Sequence, residues 1–248
     1  MRIAVAGGTG RLGQHIVDVL KASGHDPVPL SRGTGVDVIT GDGLAAALAG
    51  ADVLVDAATG PSPDREQAAA FFRTSVANLR REAEQAGVRR VVVVSIIGVD
   101  RLTTGYGAAK FEQERAWQAG PIPVSVVRSD LFHEFVEPMM GWGRQGDVVH
   151  VARTVRRPVA ARAAAETVAR LATADEAPAM TEVAGPRVEK VVDLAALVAA
   201  RNGSAVRIEG VSSPDADDVL YEAGAILPGP DAVLAGPSFA DWLSGESR

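Results

Sequence analysis

Tyr106 and Lys110 stand four residues apart, and Ser95 precedes the tyrosine by eleven. On a helix, a spacing of four puts the phenol and the ammonium on one face. With two tyrosines and three lysines in 248 residues, chance produces such a pair about 2 per cent of the time. The three types suit one reaction. Reducing a carbonyl needs a hydride donor and a proton for the developing alkoxide. A phenol can supply that proton if a neighbouring cation draws its pKa down towards neutrality, and Lys110 is placed to be that cation. Lys110 can also bond a nicotinamide ribose, and Ser95 can hold the substrate oxygen as charge builds on it.

A second group of residues handles phosphate. Gly7, Gly8, Thr9, Gly10, Arg11, Leu12 and Gly13 follow an apolar N-terminal strand and lead into a helix. That context is what a dinucleotide fingerprint requires. Gly8 and Gly10 are expected to use positive φ and let the backbone approach a pyrophosphate. Gly13 brings the helix close to the strands, Thr9 caps the helix or donates its hydroxyl, and the helix N–H groups hold the phosphate. At the end of the second strand, Ser31 and Arg32 stand where NAD-preferring sites place a carboxylate. A hydroxyl and a guanidinium suit the extra phosphate of NADP instead. The cofactor expected is NADP(H), with NAD(H) the weaker candidate.

The elements that must position these groups alternate along the first half. Strands are expected at 2–6, 26–30, 36–39, 52–57, 89–95 and 124–128. Helices are expected at 12–22, 44–48, 64–86 and 106–119. Continuous β-branched runs such as 89–95 mark strands covered on both faces, and strands alternating with helices mark right-handed crossovers. The fold class that follows is α/β: a doubly wound parallel sheet, a Rossmann fold, with a smaller C-terminal substrate lobe. The domains expected are 1–135 for the dinucleotide and 136–248 for a lobe partly interleaved with the sheet, covering the substrate crevice. In that lobe strands are expected at 148–151 and 205–209, and helices at 163–173, 192–202 and near 239–243.

Composition narrows the classes. Cysteine is absent, so no disulfide framework, thiolate metal site or cysteine nucleophile is available. His15, His25, His133 and His150 are scattered without metal-ligand spacing, so no metal is expected. A net charge of −6 argues against a nucleic-acid partner. Arg153, Arg156, Arg157 and Arg162 form a local basic patch that reads as a solvated loop or helix start. No secretory leader is expected, and no apolar run reaches membrane-spanning length, so a cytoplasmic protein without a membrane partner is expected. No GxSxG elbow supports a hydrolase.

At this point the chain resembles a known family. The loop 7–13, Ser95 and Tyr106-Gly107-Ala108-Ala109-Lys110 together are similar to the short-chain dehydrogenase/reductase superfamily. Val94-Ser95-Ile96-Ile97-Gly98-Val99-Asp100, Phe132-His133-Glu134-Phe135 and the tail 224–231 resemble more narrowly its atypical, NmrA-like NAD(P)H-binding branch. The resemblance implies NAD(P) binding through Gly7, Gly10 and Gly13, adenine contacts near Asp37 and Val38, and a cofactor-facing loop at Ala57, Ala58 and Thr59. The serine-to-tyrosine gap is slightly short for that superfamily. Its asparagine-containing segment after the fourth strand is replaced by Asp56-Ala57-Ala58-Thr59-Gly60.

The expected function is NADPH-dependent reduction of a small carbonyl or quinone-like substrate, with Phe132 and His133 on the substrate side. One alternative is a non-catalytic NADP(H) sensor acting through a protein partner. Another is a nucleotide-sugar epimerase or dehydratase, disfavoured because about 110 residues make a small lobe for a sugar nucleotide. The sensor members of the branch usually lack the tyrosine that this chain keeps.

Overall fold

The computed structural model describes residues 1–60 and 62–245. Along the chain run β1 (Arg2–Ala6), α1 (Arg11–Ala22), β2 (Asp26–Leu30), α2 (Leu44–Leu48), β3 (Val53–Asp56), α3 (Arg65–Gln85), β4 (Arg90–Ile96), α4 (Gly105–Gln118) and β5 (Val124–Ser129). Then follow α5 (Val136–Trp142), β6 (Arg144–Gln145), β7 (Val148–Ala152), β8 (Val155–Arg156), α6 (Ala161–Thr173) and β9 (Met180–Ala184). The chain ends through β10 (Glu189–Lys190), α7 (Val191–Arg201), β11 (Arg207–Val211), α8 (Ala216–Glu222), β12 (Val233–Leu234) and α9 (Phe239–Ser244).

The central sheet has seven strands in the order β12-β9-β5-β4-β3-β1-β2. β1 pairs in parallel with β2 and β3, and β3 with β4, in registers such as Val5 opposite Pro29 and Val55. This is the doubly wound α/β fold that the run pattern implied. β4 is buried along its interior, which is why its valines need no polar alternation. No helix among the described residues is long and apolar enough to cross a membrane.

Two compact units make up the chain. The first comprises Met1–Arg128 and Ala164–Thr181, the second Ser129–Ala163 and Glu182–Arg248. In the first, Leu30, Leu44, Leu54, Leu79, Val91 and Trp117 form one apolar core. Burying each of the leucines contributes roughly 2 kcal/mol against the entropy of ordering it. α3 starts at Asp64, whose carboxylate accepts from Gln67 N at 3.0 Å. In the second unit, β6 and β11 flank β7, and β8 pairs antiparallel with β10. Its core joins Val136, Leu194, Val198, Phe239 and Leu243.

One strand expected from the sequence is not there. Residues 36–39 form a loop after a 3-10 turn at Arg32–Thr34. Asp37 turns its carboxylate back to accept from Ile39 N at 2.7 Å, and Gly35, Gly41 and Gly43 all take positive φ around it. A side chain that satisfies its own backbone competes with a sheet ladder. The short apolar run lost that competition.

Candidate functional site

The glycine loop is built by exclusion of side chains. Gly7 has φ +74°, and a Cβ there would lie 2.7 Å from the Ala57 carbonyl oxygen. A Cβ at Gly8 would meet Val5 O and Pro29 at 2.8 Å, and one at Gly13 would fall 2.0 Å from Gly7 O. The positive φ expected at Gly8 and Gly10 falls instead at Gly7 alone within this loop. Gly10 is extended (φ −77°, ψ 174°) and serves as N-cap of α1, its N–H donating to Gly7 O at 2.8 Å. Thr9 is therefore not the cap. No side chain caps α1, and no acidic residue stands in its first turn. The first-turn N–H groups of a helix lie outside its own ladder, so this exposed end carries unneutralised positive dipole. A loop with no room for a side chain at Gly7, Gly8 or Gly13, opening on an uncapped helix, fits a pyrophosphate. Arg11 is exposed at that end, and Leu12 is buried beneath it.

At the next strand end, Ser31 N donates to Thr34 Oγ1 at 3.0 Å, and the two hydroxyl oxygens lie 3.4 Å apart. That pairing steadies the 3-10 turn that carries Arg32. The Arg32 side chain is exposed and makes no hydrogen bond or ion pair among the described residues. Asp37 is occupied by its own turn, and Val38 O accepts from Asn78 Nδ2 at 3.1 Å. Ala57 N donates to Ala6 O at 3.0 Å, and Ala58 N to the Asp56 carboxylate at 3.2 Å, so the segment after β3 is held from both sides.

Ser95, Tyr106 and Lys110 all belong to the first unit. Ser95 is buried near the end of β4. Lys110 Nζ donates to the carbonyl of Val94, the residue before Ser95, at 2.6 Å, and also to Gln113 Oε1. Gln113 Nε2 and Trp117 Nε1 both donate to Asp56 Oδ2 at 2.8 Å. Asp56, Gln113 and Lys110 are thus a buried chain from anion through amide to cation. Burial lowers the Lys110 pKa to about 8, against the raising charges of Asp56 and Glu114. Phe72 of α3 packs against both side chains: its ring centroid is 4.9 Å from Lys110 Nζ and 5.8 Å from the Tyr106 ring. Gly107 closes the same corner, since a Cβ there would meet Leu102 Cδ1 at 2.3 Å.

Tyr106 Oη shares a 2.8 Å hydrogen bond with Thr59 Oγ1. Burial pushes the phenol's pKa above its ordinary value; the Thr59 bond pulls it down, and the Asp56 charge adds to the rise. The expected downward pull from Lys110 is absent. Two of its ammonium's three donors go to Val94 and Gln113, and the charge that shifts the phenol is the anion of Asp56. The phenol therefore stays protonated at neutral pH, as a proton donor must.

Asp56, Phe72, Gln113 and Thr59's contact with the phenol were not anticipated. Gln113 lies three residues after Lys110 on one helix face, which the sequence could have suggested. Asp56 and Phe72 reach the site only through the tertiary fold.

Phe132 and His133 belong to the second unit. Phe132 bridges Val159. His133 is 1 % exposed, its Nε2 lies 3.0 Å from Pro158 O, and its ring packs on Phe239 at 5.2 Å and Trp242 at 5.3 Å. Burial drives its pKa to about 4, so the ring is neutral. This is a packing histidine within that unit, enclosed by aromatic rings. The basic patch is also internal bracing. Arg156 bonds Asp130 at 2.6 Å and stacks on Tyr221, while Arg157 and Arg153 donate to the carbonyls of Gly185 and Gly210.

Residues 7–128 match the model of an NAD(P)H-binding family. No curated protein matches the chain by sequence. Among solved structures, an NADPH-dependent quinone oxidoreductase of Escherichia coli, complexed with NADPH, is 19% identical. That comparison has a TM-score of 0.72 and covers 98% of this chain and 99% of the other. The UDP-N-acetylglucosamine 4-epimerase of Bacillus cereus is 17% identical with a TM-score of 0.71, covering 99% and 94%. The UDP-glucose 4-epimerase of Thermus thermophilus, complexed with NAD, is 18% identical with a TM-score of 0.69, covering 100% and 94%.

The matched segment is an NAD(P)H-binding domain, and its nicotinamide dinucleotide cofactor follows from that family. The family match and the fold agree with what the resemblance to the short-chain dehydrogenase/reductase superfamily implied, an NAD(P)H-binding segment in a Rossmann fold. The comparison spans nearly the whole length of both epimerases, so lobe size does not separate the sugar-nucleotide reading from the reductase reading.

Proposed function

We propose that this protein reduces a small carbonyl or quinone-like compound with NADPH. The observation that carries the reading is the placement of Tyr106 one helical turn from the buried Lys110, with both side chains against Phe72. Burial and the Asp56 charge favour the neutral phenol here, against the pull of the Thr59 bond. A reductase needs the neutral phenol as acid.

In this reading Gly7, Gly8, Gly10 and Gly13, with the N–H groups at Arg11 and Leu12, hold the pyrophosphate, and Ala57 and Ala58 line the loop beside it. Arg32, with Ser31 shaping its turn, takes the 2′-phosphate, which an unpaired guanidinium suits. Asp37 and Val38 border the adenine. The cofactor, when bound, supplies the hydride. Lys110 holds the nicotinamide ribose, Ser95 holds the substrate oxygen, and Tyr106 gives the proton. The solved NADPH complex of the quinone oxidoreductase supports the choice of cofactor and of substrate class.

Tyr106→Phe removes one oxygen and little volume. NADPH oxidation with a panel of ketones, aldehydes and quinones is expected to fall by about 10² to 10⁴, with NADPH affinity held within a few-fold. Turnover by the variant at the wild-type rate rules out the assigned role.

A further inference from the structure

A phenol that gives its proton away must recover one; Tyr106 is itself half-buried, and the side chains round it differ in their reach to water. Lys110 and Ser95 are 5% and 2% exposed, and both of the ammonium's bonds run inward, to Val94 and Gln113. Asp56 is fully buried, with its carboxylate engaged by Gln113, Trp117 and Ala58. Thr59 is different. It is exposed, and its hydroxyl is the single hydrogen-bond partner of Tyr106 Oη among the described residues, at 2.8 Å. Its other contact, to Gly60 O at 3.5 Å, is too long to compete.

We propose that Thr59 is the proton-relay residue of this site, passing a solvent proton to Tyr106 through their shared hydrogen bond. The proposal rests on the reductase reading and extends it. The cofactor, when bound, would supply a hydride to the carbonyl carbon; the C=O π pair moves to oxygen, which takes the proton of Tyr106 Oη. The substrate carbon is reduced and the nicotinamide oxidised. The phenolate oxygen then takes the Thr59 hydrogen, and Thr59 takes one from water, whose hydroxide is neutralised by the bulk. A hydroxyl can accept from one partner and donate to the other, so it can carry a proton without holding a charge.

The electrostatics around the phenol make such a relay useful. Burial and the Asp56 charge both oppose the phenolate, and the Thr59 bond is the one influence that favours it. The loop after β3 holds Thr59 in place: Ala58 N is tied to Asp56, and Gly60 sits against Phe71, where a Cβ would lie 3.0 Å from its ring.

The test compares Thr59→Val, which keeps shape and removes the hydroxyl, with Thr59→Ser, which restores it. The first readout is the ultraviolet titration of Tyr106 in the folded protein, taken as the difference from Tyr106→Phe. Thr59→Val is expected to raise that midpoint by about one pH unit or more, and Thr59→Ser to return it. The second readout is turnover with NADPH. Thr59→Val is expected to lower kcat at least about tenfold and to turn a curved solvent-deuterium proton inventory linear, with NADPH Kd within a few-fold. An unmoved midpoint overturns the relay. So does turnover that Tyr106→Phe abolishes and Thr59→Val leaves intact, and that result spares the reductase reading. A wild-type protein that turns over no panel substrate overturns both.

Discussion

Replacing Lys110 by methionine removes the one titrating cation at the centre of the site, and its pH signature can be worked out beforehand. In the folded protein burial holds the Lys110 pKa at about 8, against an ordinary value of 10.5. The unfolded chain therefore keeps that proton through a window in which the folded protein has lost it. Wherever the unfolded state binds more protons, stability rises with pH. Below about pH 8 the buried cation weighs fully against folding, and the penalty is released as pH climbs towards 10.5. The difference between the two values corresponds to about 3 kcal/mol. Denaturant unfolding of the wild type and of Lys110→Met, repeated from pH 7 to pH 11, isolates this term by subtraction. Wild type is expected to gain about 3 kcal/mol on the variant across that range, most of it between the two pKa values. A flat difference means the ammonium is not desolvated as described. A falling one means Asp56 and Glu114 win over burial. The same titration should appear in catalysis, as a loss of kcat/KM near pH 8, before Tyr106 begins to ionise.

Three further expectations are simpler to check. NADPH is expected to bind at least about tenfold more tightly than NADH, about 1.4 kcal/mol, and Arg32→Ala to remove most of that gap. Equal affinities in the wild type, measured by fluorescence titration, would end the 2′-phosphate assignment. Gly13→Ala pushes a methyl to within 2.0 Å of Gly7 O, so stability is expected to drop by about 1–3 kcal/mol, with NADPH binding lost. Unchanged affinity would show that helix and loop need not meet so closely. For His133, whose folded pKa of about 4 lies below the ordinary 6.5, the unfolded chain takes up a proton first as pH falls. Stability is expected to decline by about 3 kcal/mol between those values, and His133→Phe to flatten that decline in acid denaturation curves.

Much of the first unit could be read from local pattern. The valines of β4, the glycine loop and the spacing of Tyr106 and Lys110 are all signals carried within a few residues. They place the sheet, the turn between β1 and α1, and the helix that carries Tyr106 and Lys110. What escaped was settled by distant partners. Thr59 and Tyr106 are 47 residues apart and Asp56 and Trp117 are 61, and no periodicity reports such a meeting. The same reason explains the phenol's pKa: sequence spacing pointed to Lys110, but burial and a distant aspartate decide the sign. The loop at 36–39 escaped because one aspartate's hydrogen bond outweighed a short apolar run. β9, five residues after a proline-interrupted stretch, offered too little pattern to announce itself. His133 sat in a suggestive motif, yet its aromatic neighbours come from more than a hundred residues further on.

The guanidinium of Arg90, on β4, donates to the carbonyls of Leu171, Ala174 and Asp175 at 3.0, 2.7 and 2.7 Å. Those carbonyls lie at the end of α6 and just beyond, in the segment Ala164–Thr181 that returns to the first unit after the chain has left it. During synthesis, then, the dinucleotide-binding unit cannot be finished when residue 128 leaves the ribosome. It must wait, with a side of its sheet and an arginine unsatisfied, until roughly fifty further residues have been made, most of them destined for the other unit. A fragment cut after β5 would inherit that unfinished state permanently. Carrying the cofactor domain into another protein would therefore require Ala164–Thr181 to travel with it, supplied in the same chain or as a separate peptide.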